Sequence, residues 1–139
     1  MATVSLSSNY PASAETIWKL IGGFNALPDW HPAIAKSEIE TEGNTTFRRL
    51  SLVGGGSILE KLEKSDEDDH LYSYSILESP LPIANYTATI RVTDSEGGGC
   101  TIEWSSQFEP SGAPENEAVK AIEGIYQAGF DNLKRMFGG

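Results

Sequence analysis

Cysteine is almost missing from this chain. Cys100 stands alone, so no internal disulfide can form and a reducing, cytoplasmic setting is the default expectation. No histidine or asparagine lies at a recognisable local spacing from it, and a lone cysteine entering a strand reads as packing rather than as a nucleophile. Basic residues are scarce too: 10 Lys and Arg face 20 Asp and Glu, a formal charge of −10. Nucleic acid and anionic membrane surfaces need basic footprints, so neither is expected as a partner. No apolar run could span a bilayer, which excludes membrane insertion, and Met1-Ala2-Thr3-Val4 lacks the basic-then-apolar texture of a leader. Only two histidines occur, His31 and His70, without carboxylates at ligand spacing, so neither metal nor cofactor is expected. Nucleophile elbow, phosphate loop and dinucleotide fingerprint are absent as well. The glycine triplets Gly54-Gly55-Gly56 and Gly97-Gly98-Gly99 lack the flanks those motifs require.

What remains is an ordinary globular composition, 39% hydrophobic over 139 residues, which fits a single domain, 1–139, with a core and some room to spare. Strand texture opens the chain at Thr3 to Asn9. Ser13 can cap a first helix whose apolar side is Ile17, Trp18, Leu20 and Ile21, and Gly22-Gly23 stops it. A second short helical turn is expected over Phe24 to Asp29, closed by Trp30-His31-Pro32, where His31 shapes or caps the corner rather than acting as a base.

Six strands follow, at Ile34–Thr41, Thr46–Val53, Ser57–Lys64, His70–Glu78, Asn85–Thr93 and Cys100–Phe108. Turn chemistry separates them as in an antiparallel meander. The acidic run Ser65-Asp66-Glu67-Asp68-Asp69 reads as a solvated hairpin tip, since no EF-hand spacing supports calcium. Ser79-Pro80-Leu81-Pro82 cannot belong to a central strand. From Glu115 to Phe137, Val119, Ile122, Tyr126, Phe130, Leu133 and Phe137 recur every three or four residues, which predicts one long helix ended by Gly138-Gly139. The expected class is α+β: a curved seven-stranded antiparallel sheet over a long C-terminal helix, with two short helices after the first strand.

Parity singles out a site. Alternate strand residues share a side, so Ile58 and Leu62 carry Glu60 inward with them. Arg48 shares a face with Leu50 and Leu52, and Tyr86 shares one with Ala88, Ile90 and Val92. A carboxylate among apolar neighbours is costly without a partner. Convergence of Glu60, Arg48 and Tyr86 in an apolar interior would make a pocket, walled by Trp30, Tyr74, Trp104, Ile122, Tyr126 and Phe130. In it Glu60 would exchange a proton, Arg48 would steady an oxyanion or simply pair with Glu60 as a structural partner, and Tyr86 would orient the substrate.

Trp18, Phe24, Trp30-His31-Pro32, Arg48, Glu60-Lys61-Leu62 and Tyr74, in this order of elements, resemble the helix-grip (SRPBCC) superfamily of START domains, birch-pollen-allergen-like proteins and bacterial polyketide cyclase/dehydrase-like proteins. The runs WHPAI, RRLSL, ILEKLEKSD, YSYSI, PLPIANYTATI and IEWSSQF together resemble the polyketide-cyclase-like branch, which also holds plant lachrymatory-factor synthase and abscisic acid receptors. The resemblance implies a hydrophobic cavity roofed by two mobile loops, here Val53 to Ser57 and Glu78 to Asn85, which adds Leu81 and Pro82 to the ligand contacts. The glycine triplet and Ser79-Pro80-Leu81-Pro82 depart from the receptors' gate and latch, so hormone sensing is not carried over. Lachrymatory-factor synthase looks to place an arginine, a glutamate and a tyrosine where Arg48, Glu60 and Tyr86 fall.

Three functions stay open on the sequence: a cyclase, dehydratase or isomerase acting on a small hydrophobic or aromatic molecule, a carrier or sensor of such a molecule, and a protein-interaction module with an incidental cavity. A monomer or weak homodimer is expected.

Overall fold

The computed structural model describes residues 2–138; Met1 and Gly139, the ends of the expected domain, lie outside the described residues. Eleven elements were not all foreseen in their bounds. Strands are β1 (Ala2–Tyr10), β2 (Ile34–Glu42), β3 (Thr45–Leu52), β4 (Ser57–Asp66), β5 (Leu71–Glu78), β6 (Ile83–Asp94) and β7 (Cys100–Pro110). Helices are α1 (Ala14–Ile21), α2 (Leu27–Trp30) and α3 (Glu115–Phe137), and a 3-10 turn, Glu96–Gly98, links β6 to β7.

All seven strands form one antiparallel sheet in the order β1-β7-β6-β5-β4-β3-β2. From β2 to β7 it is the expected meander. Strand β1 then lies against β7, in an unbroken register from Ala2↔Phe108 to Tyr10↔Cys100. Period-two burial is clearest in β6 and β7, where Tyr86, Ala88, Ile90 and Val92, and Cys100, Ile102, Trp104, Ser106 and Phe108 turn inward. Register shifts between Leu59 and Glu60 and between Leu62 and Lys64 mark bulges in the β4–β5 ladder, and bulges bend a strand.

Helix α3 supplies the other half of the core. Ala118, Ile122, Tyr126, Gly129, Phe130 and Leu133 form its buried stripe, and each large side chain there contributes about 1.5–3 kcal/mol by leaving water. Val119 and Phe137, expected on that stripe, are only partly buried at its margin. No helix among the described residues is long and apolar enough to cross a membrane.

Three local expectations are corrected. The second helical turn is Leu27–Trp30 rather than Phe24–Asp29, because Pro28 suits a first turn and so sets the start later. Strand β4 runs through Ser65 and Asp66, and the turn begins only at Glu67. Nor is the acidic tip simply solvated: the Trp18 indole Nε1 donates to Glu67 Oε2 at 2.7 Å, and the Trp18 ring stacks on His70 with centroids 5.5 Å apart. Gly22 closes α1 where a Cβ would sit 2.4 Å from the Trp18 ring, so the indole can fold back only over a glycine.

Candidate functional site

Arg48 and Glu60 are paired residues of the β3–β4 ladder. Arg48 Nε donates to Glu60 Oε1 at 2.6 Å, and both side chains are buried. Arg48 Nη1 also donates to the Phe24 carbonyl oxygen at 2.6 Å. Its guanidinium carbon lies 4.1 Å from the Phe24 ring centroid, 5.2 Å from that of Tyr74 and 5.6 Å from that of Tyr72. This aromatic box replaces water around a planar cation. Burial alone would lower the Arg48 pKa; the Glu60 carboxylate beside it outweighs burial and holds it up. For Glu60, burial pushes the pKa above the ordinary carboxylate value, and the charge and hydrogen bond of Arg48 only partly offset it.

An internal cavity lies between the sheet and α3. Among the expected residues, Glu60, Tyr74, Leu81, Tyr86, Trp104, Ile122 and Tyr126 line it. Arg48, Trp30, Phe130 and Pro82 do not line it. Arg48 is spent on Glu60 and Phe24. Trp30 packs against Trp104, with ring centroids 5.5 Å apart. Phe130 meets the edge of Trp104, and its carbonyl accepts from the Tyr10 hydroxyl. The carbonyl of Pro82 accepts from Ser111 N–H, which ties it to the strand β7 exit.

The cavity volume is about 30 Å³, room for one or two water molecules against the roughly 300–1,000 Å³ of a usual ligand site. Of the two expected roof loops, Glu78 to Asn85 contributes Leu81 to the lining, and Val53 to Ser57 contributes none of the lining residues. Gly54, Gly55 and Gly56 all adopt positive φ, a conformation that side chains resist. A Cβ on Gly56 would lie 3.8 Å from Pro80 Cγ, so the two loops approach each other, and Leu81 lines the cavity.

Phenols dominate the polar lining. Trp104 Nε1 donates to the Tyr74 hydroxyl at 3.1 Å, Tyr74 and Tyr86 hydroxyls lie 3.3 Å apart, and Tyr86 bonds the Tyr126 hydroxyl in turn. Three hydroxyl protons serve two bonds between hydroxyls, which leaves one donor to spare. Burial raises the pKa of all three tyrosines, so each stays protonated and acts as donor rather than base.

Parity in the sequence also contained Leu50, Ile58 and Ile76, which share faces with Arg48, Glu60 and Tyr74 and line the cavity. Leu27, Ile34, Ile125 and His31 were not legible as lining, because they come from a short helix, a strand start and the flank of the α3 stripe. His31 is buried. Its Nε2 bonds the Ile125 carbonyl at 2.7 Å, and its Nδ1 accepts from Ala33 N–H at 3.2 Å. The corner role expected for it is thus extended: it fastens the end of α2 to α3, and burial lowers its pKa. No group of three or more His, Cys, Asp or Glu that could hold a metal occurs among the described residues. Burial pushes the Cys100 thiol up, away from thiolate character.

Comparison with known proteins finds relatives of the chain and of its fold. The structure of the protein XoxI from Bacillus cereus is similar at 38% identity, with a TM-score of 0.93, over 99% of this chain and 96% of that one. A protein from Thermobifida fusca is similar at 27% identity and a TM-score of 0.85, over 99% of this chain and 94% of its own. The Zhui aromatase/cyclase from a Streptomyces species shares the fold at 16% identity and a TM-score of 0.75, over 94% and 90% of the two chains. No curated protein matches the chain. A sequence model described as polyketide cyclase / dehydrase and lipid transport matches residues 1–138, and the chain belongs to that family.

Proposed function

We propose that the protein binds a small hydrophobic or aromatic molecule bearing an oxygen function between the sheet and α3, and that Glu60 exchanges a proton with it. The observation that carries this reading is Glu60 itself, a carboxylate on the wall of a mostly apolar cavity, fixed through one oxygen by Arg48 and sharing that wall with three protonated phenols. A raised pKa brings the carboxyl nearer to neutral pH, where an acid/base group works best. The spare hydroxyl of the Tyr74–Tyr86–Tyr126 chain would meet negative charge developing on a substrate oxygen. Arg48 takes the part of a positioning residue, since it does not line the cavity. Cyclisation, dehydration and isomerisation are the reactions such a set suits, and the shared fold of an aromatase/cyclase accords with them. A ligand needs the loops at Gly54–Gly56 and Ser79–Pro82 to part and Leu81 to withdraw, given the small cavity.

The closed cavity favours a second reading, a carrier or an interaction module without turnover. Native mass spectrometry of freshly purified protein tests the first reading by revealing a co-purified small molecule. With that molecule or its precursor in hand, Glu60→Gln should retain binding and lose product formation. Binding without turnover in the unaltered protein would leave a carrier. No binding across a panel of aromatic compounds would leave the interaction module.

A further inference from the structure

The β5–β6 ladder ends early. Its last pair is Ser75↔Thr87, although β5 continues to Glu78 and β6 starts at Ile83. Past that pair the strands turn to their other neighbours: Ile76 and Glu78 face Glu60 and Leu59 of β4, while Ile83 and Ala84 face Pro110 and Glu109 of β7. The sheet therefore splits in its middle. Asn85 is the local cause. It sits at φ 53 inside a register shift between Ala84 and Thr87, a bulge that bends the strand, and asparagine is one of the few side chains that accept this conformation. Its Nδ2 donates to Glu109 Oε2 at 3.2 Å, which holds the bent end against β7.

The resulting notch is an open groove of about 800 Å³. Ile76 and Tyr86 line it, and both also line the inner cavity, so these two residues stand between the compartments. The remaining lining is mixed and nearly neutral, with apolar surface from Leu77, Ile83 and Ala84. Ser75, Ser79, Asn85 and Thr87 offer hydrogen-bonding groups, and Glu78 is the single charged residue on its lining. An anionic group would meet Glu78 in a protein of net charge −10, which disfavours it.

We propose that the β5–β6 notch is a second binding compartment, which takes the neutral, hydroxyl-bearing end of an amphipathic ligand whose apolar end reaches the inner cavity past Ile76 and Tyr86. This rests on the ligand-binding reading above. The size contrast supports it: the notch matches an ordinary ligand site and the closed inner cavity does not.

Fluorescence titration with naphthol, naphthyl glucoside and naphthyl phosphate tests the proposal. The glucoside should bind at least as tightly as naphthol, and the phosphate about tenfold more weakly than the glucoside. Ala84→Trp and Leu77→Trp, which fill the notch from either strand, should each weaken the glucoside about tenfold and leave naphthol unchanged. Ile39→Trp on the exposed face of β2 is the control, and circular dichroism checks that each variant is folded. Glu78→Lys should remove the penalty on the phosphate. Naphthol binding without glucoside binding, or fill variants that leave the glucoside untouched, would overturn the second compartment alone. Binding of none of the three would bring down the cavity reading and this proposal together.

Discussion

Arg48 and Glu60 stand opposite each other on β3 and β4, joined by a 2.6 Å hydrogen-bonded ion pair inside the core. Such pairs contribute little net stability, because desolvation offsets attraction, but removal of one partner strands a buried charge. Arg48→Met should therefore cost about 3–5 kcal/mol, and adding Glu60→Leu should return most of it. Urea unfolding of the single and double variants measures this. A double variant as unstable as the sum of the two single variants would mean zero coupling, and so would overturn the claim that each residue's cost comes from stranding the other's charge.

His31 makes acid stability predictable. Its pKa is lowered from the ordinary 6.5 by burial, so the unfolded chain takes up a proton that the folded protein refuses. The contribution is fully present above the ordinary value and is lost as pH falls from there toward the lowered folded value. Thermal melting followed across that interval should show a decline in Tm. His31→Gln should be less stable at neutral pH and should lack the His31 share of the decline.

Two glycines in α3 should respond oppositely to alanine. A Cβ on Gly129 would lie 2.9 Å from Trp30 and 3.0 Å from His31, whereas Gly124 has open space around it. Gly124→Ala should stabilise by about 0.5–1 kcal/mol through helix propensity. Gly129→Ala should destabilise, by about 1–3 kcal/mol, as the two rings are pushed off the helix. Guanidinium unfolding midpoints decide both.

The β4–β5 tip should prove to be anchored. Glu67→Gln keeps a hydrogen-bond acceptor for Trp18 Nε1, while Glu67→Ala removes it. The alanine variant should lose about 1 kcal/mol and the glutamine variant less. Equal losses would mean that the acidic charge, rather than the bond to Trp18, matters. Indole N–H chemical shift by NMR provides the local readout.

Much of this molecule was legible because strands and helices write their periods into the chain. Alternation placed Arg48 and Glu60 on inward faces, and the three-to-four spacing from Val119 to Phe137 marked α3 over its full length, Glu115–Phe137. Strand ends were less so: β6 begins at Ile83 and β4 reaches Asp66, since neighbouring strands can extend a ladder through residues of weak propensity.

Sequence by itself determined the faces, because a side chain's direction depends only on local backbone repeat. Tertiary structure decided what those faces meet. Arg48 turned inward as its parity demanded, yet lies behind Glu60 because Phe24, from a loop far off in the chain, closes over it. The approach of the Gly56 and Pro80 loops, the small cavity and the split at Asn85 likewise depend on distances between segments, which no local pattern encodes.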